Sequence, residues 1–243
     1  ESIRAPRPGE DLLTSLDLRI QYLAYRELKA AIRKHRAKAG SVIVVDVSTG
    51  EVLAMVNQPS FNPNDRAQYD VARYRNRAAT DIFEPGSSIK PFVMAAALAS
   101  GRYRTDSLID AVPFRVANKT IRDKHDLGTI DLSDTLARSS NVAMAKMALS
   151  LEPAQMHDTL RSLGFGEVTA SGFPGESAGL LSSADHWRPI GIATMAYGYG
   201  LSVTPLQLAQ GYAILGAQGI HRPITFKRVQ DPVAGERVLS EKV

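Results

Sequence analysis

The chain has 243 residues, 44% hydrophobic and 22% charged, with 29 Lys and Arg against 25 Asp and Glu and a net charge of +4. That is globular material with room for a sizeable core in one domain or two, which argues against disorder; so small a charge excess, without a dense basic run or recognition motif, argues against nucleic-acid binding. No cysteine is present, which excludes thiol catalysis, disulfides and cysteine-bound metal and weakly fits an extracytoplasmic location, and no apolar run approaches the roughly 20 residues needed to span a bilayer.

In chain order, residues 1–13 hold Pro6, Pro8 and Gly9 among charges and read as a linker or domain entry. Asp17 can cap a helix with Ile20, Leu23, Ala24, Leu28 and Ala31 on one face. The apolar run Gly40 to Val47, the turn Ser48-Thr49-Gly50 and the extended stretch Glu51 to Val56 predict a hairpin. Residues 57–83 read mostly as loop. Ser87 to about Ser100 is alanine-rich and apolar, a buried helix with Pro91 in its first turn. Residues 101–130 alternate turns and short extended pieces. Leu132 to Ala137 and Val142 to Leu149 read as two helical pieces, and a further helix starts at Pro153 and stops at Gly164. Trp187 to Tyr197 and Thr204 to Gly216 read as the last helices, and Ile224 to Val229 as a strand.

Chemistry concentrates at two places. Ser87 and Lys90 are spaced i, i+3 at a helix start, so their side chains share a face. A serine hydroxyl is a poor nucleophile until a base takes its proton, and Lys90 can be that base if burial keeps it neutral. Free N–H groups at a helix start favour developing negative charge, as half of an oxyanion hole does. Downstream, Ser139-Ser140-Asn141 sits at a helix break. A Ser139 hydroxyl there can relay a proton between Lys90 and a leaving amine, while the Asn141 amide can donate to a substrate carbonyl and accept from Lys90. Taken singly each cluster is weak: a chain of this length holds about one Ser-x-x-Lys by chance, and Ser87, Ser139 and Asn141 could all be helix caps and Lys90 a solvated side chain.

Longer stretches are more specific. Gly40-Ser41-Val42-Ile43-Val44-Val45-Asp46, Thr49-Gly50-Glu51-Val52-Leu53-Ala54-Met55, Phe61-Asn62-Pro63-Asn64, Arg75-Asn76-Arg77-Ala78 and Phe83-Glu84-Pro85-Gly86-Ser87-Ser88-Ile89-Lys90-Pro91 form a series with Ile121-Arg122-Asp123 and Ala196-Tyr197-Gly198-Tyr199-Gly200-Leu201-Ser202-Val203-Thr204-Pro205. The series resembles the transpeptidase domain of the septal class B penicillin-binding proteins of Gram-negative bacteria, the FtsI family, over nearly the whole chain. The resemblance implies an α/β fold of the penicillin-binding protein and β-lactamase type: an antiparallel sheet flanked by helices plus a mostly helical subdomain. It implies a linker over 1–15, from an N-terminal domain outside the chain, and a transpeptidase domain over 16–243. It implies a serine D,D-transpeptidase in which Ser87 attacks the penultimate D-alanine of a stem peptide, D-alanine leaves, and the acyl group passes to an amine. Lys90 would be the general base, with Ser139 and Asn141 in support. The implied partners are the D-Ala-D-Ala stem peptide of peptidoglycan, β-lactam antibiotics that acylate the same serine, and division-machinery proteins; no cofactor, metal or nucleic acid is implied. The implied location is the periplasm, as part of an inner-membrane-anchored protein whose anchor lies outside the chain.

One family motif is missing. The Lys-Thr/Ser-Gly triplet, which supplies a cation for the substrate carboxylate and a second oxyanion N–H, has no match after Gly200, and neither Lys38-Ala39-Gly40 nor Ser48-Thr49-Gly50 fits its place. The expectation is a domain truncated before that motif, with an incomplete sheet and an exposed edge, and a slowed acylation, since one oxyanion donor can be worth about 100-fold. Two alternatives therefore stand: a catalytically incomplete β-lactam-binding or scaffold module, and a β-lactamase, for which no well-placed carboxylate is evident. His35, His125, His157, His186 and His221 show no metal-ligand spacing. Gly164-Phe165-Gly166 lacks the third glycine of a dinucleotide loop, and Tyr197-Gly198-Tyr199-Gly200 reads as a place where backbones pack closely.

Overall fold

Asp17 opens the first helix. In the computed structural model, which describes residues 8–65, 71–231 and 234–243, its carboxylate accepts from the Arg19 N–H at 2.9 Å, and α1 runs Leu18–His35. The buried face is rotated from the expected one. Ile20, Ala24, Leu28 and Ile32 turn inward together with Gln21 and Tyr25, whereas Leu23 and Ala31 are exposed. Gln21 is the reason: its amide donates to Met55 O at 3.0 Å and accepts from Met55 N–H at 2.9 Å, so a polar side chain holds the helix to the sheet. The linker reading over 1–15 lies partly outside the described residues; within them, Ser15 is buried and its hydroxyl donates to Val52 O at 2.8 Å.

The hairpin forms as expected. β1 (Gly40–Val45) and β2 (Val52–Gln58) pair antiparallel from Gly40↔Gln58 to Val44↔Ala54, with a bulge before Val45↔Val52. Gly50 in the turn has φ +79°, and a Cβ there would stand 2.3 Å from Pro223 O, so the turn needs glycine on both counts. Alternate residues Val52, Ala54 and Val56 of β2 are buried, the period expected of a half-buried strand. The sheet has these two strands among the described residues, in line with the expected incompleteness. Among the described residues one edge is open. The outer edge of β2 is covered by Gln21 and by the Asp17 N–H on Leu53 O at 2.9 Å. Along β1 runs a groove of about 670 Å³, lined by Ile43, Phe83, Leu208 and Tyr212 among others.

Residues 57–83 are mostly loop among the described residues, as expected, with two single helical turns, α2 (Val71–Tyr74) and α3 (Arg77–Thr80). One expectation fails here: residues 224–229 form no strand. Thr225 bonds to Gly50 and Val52, Phe226 to Ser15, and Arg228 to Leu13. The segment changes neighbour every residue or two, and single bridges at Thr225 and Lys227 do not make a ladder.

The helical part is built around one buried rod. A 3₁₀ turn (Gly86–Ile89) leads into α4 (Lys90–Ala99), whose Phe92, Val93, Ala96 and Ala97 are fully buried. A helix apolar on all sides must be enclosed on all sides. Two small hairpins follow, of β3 (Leu108–Asp110) with β6 (Thr129–Asp131) and of β4 (Phe114–Val116) with β5 (Lys119–Ile121). Then come α5 (Leu132–Ala137), α6 (Asn141–Ser150) and α7 (Pro153–Ser162). After a second 3₁₀ turn (Ala184–His186) come α8 (Pro189–Met195) and α9 (Pro205–Gly216). The pair β7 (Ile220–His221) and β8 (Glu236–Arg237) lies near the end. Helices α6 and α7 pack on α4 through fully buried Met144, Met147, Met156 and Leu160, and the Phe92 and Phe165 rings meet edge to face at 4.9 Å. Each such side chain stabilises the fold by about 1.5–3 kcal/mol. This packing fixes the rod, and with it the residues at its start. The architecture is α/β: a small sheet with α1 on one side and α3 and α9 against β1, plus a helical subdomain.

Candidate active site

The approach to α4 is zipped to a distant segment. Phe83 and Val203 exchange backbone hydrogen bonds at 3.0 and 2.9 Å, the Gly200 N–H donates to Glu84 Oε1 at 2.9 Å, and the Gly86 N–H donates to Gly198 O at 3.1 Å. Gly198 has φ +91°, and a Cβ there would fall 2.0 Å from Gly86 O. The Tyr-Gly-Tyr-Gly stretch is therefore a close-packing element, as its glycines suggest, and what it packs against is the residue preceding Ser87. The turn beyond is tied at its other side, where Tyr212 Oη donates to Ser88 O at 2.9 Å.

Ser87 lies in the 3₁₀ turn rather than in the α-helix, and Lys90 is the first residue of α4. The Lys90 N–H donates to Ser87 O, and in a 3₁₀ turn residues i and i+3 eclipse one another. The shared face expected from an α-helix is thus achieved by a tighter geometry. Ser87 is exposed, and its side chain caps neither helical piece. Lys90 is only 2% exposed, so it is no solvated surface lysine.

The second cluster is two helix ends back to back. Helix α5 closes with the Ser139 N–H on Leu136 O at 3.0 Å and the Ser140 N–H on Thr135 O at 3.0 Å. This is a Schellman closure with Ser139 at its left-handed position, and Ser139 has φ +55°. Ser140 is at once the N-cap of α6, its hydroxyl accepting from the Ala143 N–H at 3.0 Å. So Ser140 does the capping, and the side chains of Ser139 and Asn141 are left to point elsewhere.

They point at Lys90. Its Nζ donates to Ser139 O at 2.5 Å, Ser139 Oγ at 2.9 Å and Asn141 Oδ1 at 2.8 Å. Ser139 Oγ stands 3.0 Å from Ser87 Oγ. All four residues singled out in the sequence meet in one hydrogen-bonded chain, 52 residues of sequence apart between the two serines. The link between Ser87 and Lys90 runs through the Ser139 hydroxyl. Burial pushes the Lys90 ammonium down to about 8, against a smaller upward pull from the Asp123 carboxylate. At pH 7 roughly one molecule in ten then carries a neutral lysine, a population able to accept a proton.

Sequence reasoning gave no role to two contributors, Asp123 and Glu84. Asp123 accepts from Ser140 Oγ at 2.6 Å and from the Asn141 N–H at 2.5 Å. Glu84 latches Gly200, and Gly198 seats Gly86. Asp123 and Glu84 stood in quoted stretches, but their partners lie 17 and 116 residues away, beyond any local spacing rule.

Known proteins provide an independent comparison. Residues 40–243 match the family model of the penicillin binding protein transpeptidase domain. The chain is 42% identical over 238 residues to a Neisseria meningitidis protein named as the probable peptidoglycan D,D-transpeptidase PenA, covering 98% of this chain and 41% of that protein. It is 43% identical over 235 residues to the Escherichia coli K12 peptidoglycan D,D-transpeptidase FtsI, covering 97% of this chain and 40% of that protein. It thus spans about two fifths of the length of these relatives. A solved structure of the transpeptidase domain of Burkholderia pseudomallei penicillin-binding protein 3 superposes with a TM-score of 0.85 at 39% identity, covering 97% of this chain and 68% of that one. A family model matched over residues 40–243, sequence identity of about two fifths over nearly the whole chain, and a shared fold make this chain a member of the penicillin-binding protein transpeptidase domain family.

Proposed function

We propose that this chain is the acyl-transfer unit of a peptidoglycan D,D-transpeptidase, with Ser87 as nucleophile, Lys90 as general base, Ser139 as proton relay and Asn141 as the group that orients both lysine and substrate. The observation that carries the reading is the unbroken chain from Ser87 Oγ through Ser139 Oγ, 3.0 and 2.9 Å per link, to a buried Lys90 Nζ. Hydroxyl hydrogens rotate to suit their partners. With Lys90 neutral, Ser87 donates to Ser139, Ser139 donates to Nζ, and the proton moves to the lysine as Ser87 Oγ bonds the carbonyl carbon of the penultimate D-alanine. The tetrahedral intermediate collapses, the C–N bond breaks, and the lysine proton returns along the same relay to the departing D-alanine amine. An amine from a neighbouring strand then attacks the ester, and Ser87 regains its proton. The Gly86 and Ser88 N–H groups are taken by Gly198 O and Pro85 O, so the Ser87 N–H is the backbone donor of this turn that suits the developing oxyanion. A β-lactam would acylate Ser87 by the same path, its ring nitrogen taking the proton. The proposal extends to septal wall synthesis in the periplasm, as part of a membrane-anchored protein working with division-machinery partners, which is the setting that the resemblance to the FtsI family implies.

Intact-mass spectrometry after incubation with a penicillin tests the assignment. One added penicillin mass, absent in Ser87→Ala, is expected; an adduct that persists in the variant refutes Ser87. A second reading, a β-lactam-binding or scaffold module without turnover, is favoured by one observation: residues 201–243 contain no Lys-Thr/Ser-Gly triplet. Acylation without cross-linking of a stem-peptide donor and acceptor would select it.

A further inference from the structure

The turn that carries Ser87 is short of one donor. In a 3₁₀ register a carbonyl accepts from the N–H three residues on, and Ser87 O accepts in this way from the Lys90 N–H. Ser88 O would take the next N–H, but residue 91 is proline and has none. Helix α4 does not use Ser88 O either, because the first carbonyl of its ladder belongs to its N-cap, Ile89. Ser88 O thus falls in the seam between the 3₁₀ turn and the α-helix. Tyr212 fills the seam from a different helix: its Oη donates to Ser88 O at 2.9 Å across 124 residues of sequence. Burial pushes the phenol up from its ordinary value, so it keeps the proton that it donates.

Tyr212 is itself held in place. Its ring meets the fully buried Phe92 ring edge to face at 4.9 Å. Its helix, α9, starts from a capping box at Thr204, directly after the segment 198–203 that bonds Phe83, Glu84 and Gly86. One stretch of chain, residues 198–212, therefore grips the turn on both sides of Ser87, through Gly198 before it and Tyr212 after it.

We propose that Tyr212 is a positioning residue for acylation: its hydroxyl closes the seam between the 3₁₀ turn and α4, and so keeps Ser87 Oγ within reach of Ser139 Oγ and the Ser87 N–H turned toward the developing oxyanion. The proposal rests on the transpeptidase reading. Tyr212 stands outside the proton relay, since its hydroxyl is spent on Ser88 O while Lys90 Nζ is bonded to Ser139 and Asn141. Losing that hydroxyl should therefore disturb the geometry of attack and leave the noncovalent capture of a β-lactam as it was.

The test compares the full chain with Tyr212→Phe, which removes the hydroxyl and keeps the ring, and Tyr212→Leu, which removes both. Acylation by a fluorescent penicillin is followed by stopped flow over a range of concentrations, which separates the limiting acylation rate from the dissociation constant of the complex that precedes it. Thermal unfolding is recorded on the same samples. Tyr212→Phe is expected to lower the limiting rate about tenfold, the scale of a slight misplacement of reacting groups, with the dissociation constant unchanged within about twofold. Tyr212→Leu is expected to lose rate as well and to unfold at a lower temperature than Tyr212→Phe, because the ring contact with Phe92 goes too. A limiting rate in Tyr212→Phe within about twofold of the original overturns the proposal, and so does a loss that falls on the dissociation constant instead of the rate. If the unaltered chain takes no penicillin at all, the transpeptidase reading falls instead. NMR then still judges the seam: in Tyr212→Phe the Ser88 carbonyl ¹³C and the Ser87 amide ¹⁵N resonances should both move, and an unmoved Ser87 amide overturns the proposal.

Discussion

Replacing Ser139 by glycine should separate stability from activity. Ser139 occupies the left-handed position of the α5 closure, at φ +55°, where a Cβ costs about 1–2 kcal/mol. Glycine relieves that strain but loses about 0.5–1 kcal/mol to the greater freedom of its unfolded chain. Alanine keeps the strain, and both variants forfeit the hydroxyl contacts to Lys90 and Ser87. The two therefore differ by strain less entropy, about 0.5–1 kcal/mol in favour of glycine, which for a domain of this size is a Tm gap of about 2 °C. Both should lose penicillin acylation by about 100-fold or more, the usual worth of a positioned proton-transfer group. Differential scanning calorimetry and stopped-flow acylation on the same samples measure the two effects. A glycine variant no more stable than the alanine variant would refute the strain argument. A glycine variant that acylates at the original rate would refute the relay.

Two other outcomes are expected. Because Lys90 is held at about 8 in the folded protein against 10.5 as its ordinary value, the unfolded chain binds more protons between those values, so stability rises with pH across that window. The gain is about 3 kcal/mol and should appear as a urea midpoint that climbs relative to Lys90→Met between pH 8 and 10.5; a constant difference would mean that Lys90 is not shifted. Gly198→Ala, whose Cβ would fall 2.0 Å from Gly86 O, should destabilise by about 3 kcal/mol or more and slow acylation. Gly86→Ala meets no atom within 4 Å and should cost only about 1 kcal/mol for its positive φ. Equal Tm losses for the two would contradict the close approach.

Much of the architecture could be read along the chain because short-range physics decides it. Asp17 and Thr204 before apolar runs mark helix starts, and both cap the helices that follow. Alternation and a glycine-ended turn mark the β1–β2 hairpin. The serine and lysine spaced by three, with the Ser-x-Asn cluster downstream, named the four residues that meet in the site, because their separation along each helical piece constrains their direction. Where long-range contacts compete, local pattern misled. Leu23 lost its place on the sheet to Gln21, whose amide satisfies an otherwise bare strand edge. Residues 224–229 have strand composition, but their backbone groups are divided between two neighbours.

Sequence alone singled out the four residues that meet in the candidate site and placed them at a helix start and a helix break, since capping, periodicity and turn geometry act over a few residues. Tertiary structure decided what the chemistry can use. It sank Lys90 out of water, routed its link to Ser87 through a strained Ser139, and brought Asp123 and Gly198 to the two ends of that chain. Burial and approach distance are properties of segments that meet in space, and no spacing along the backbone encodes them.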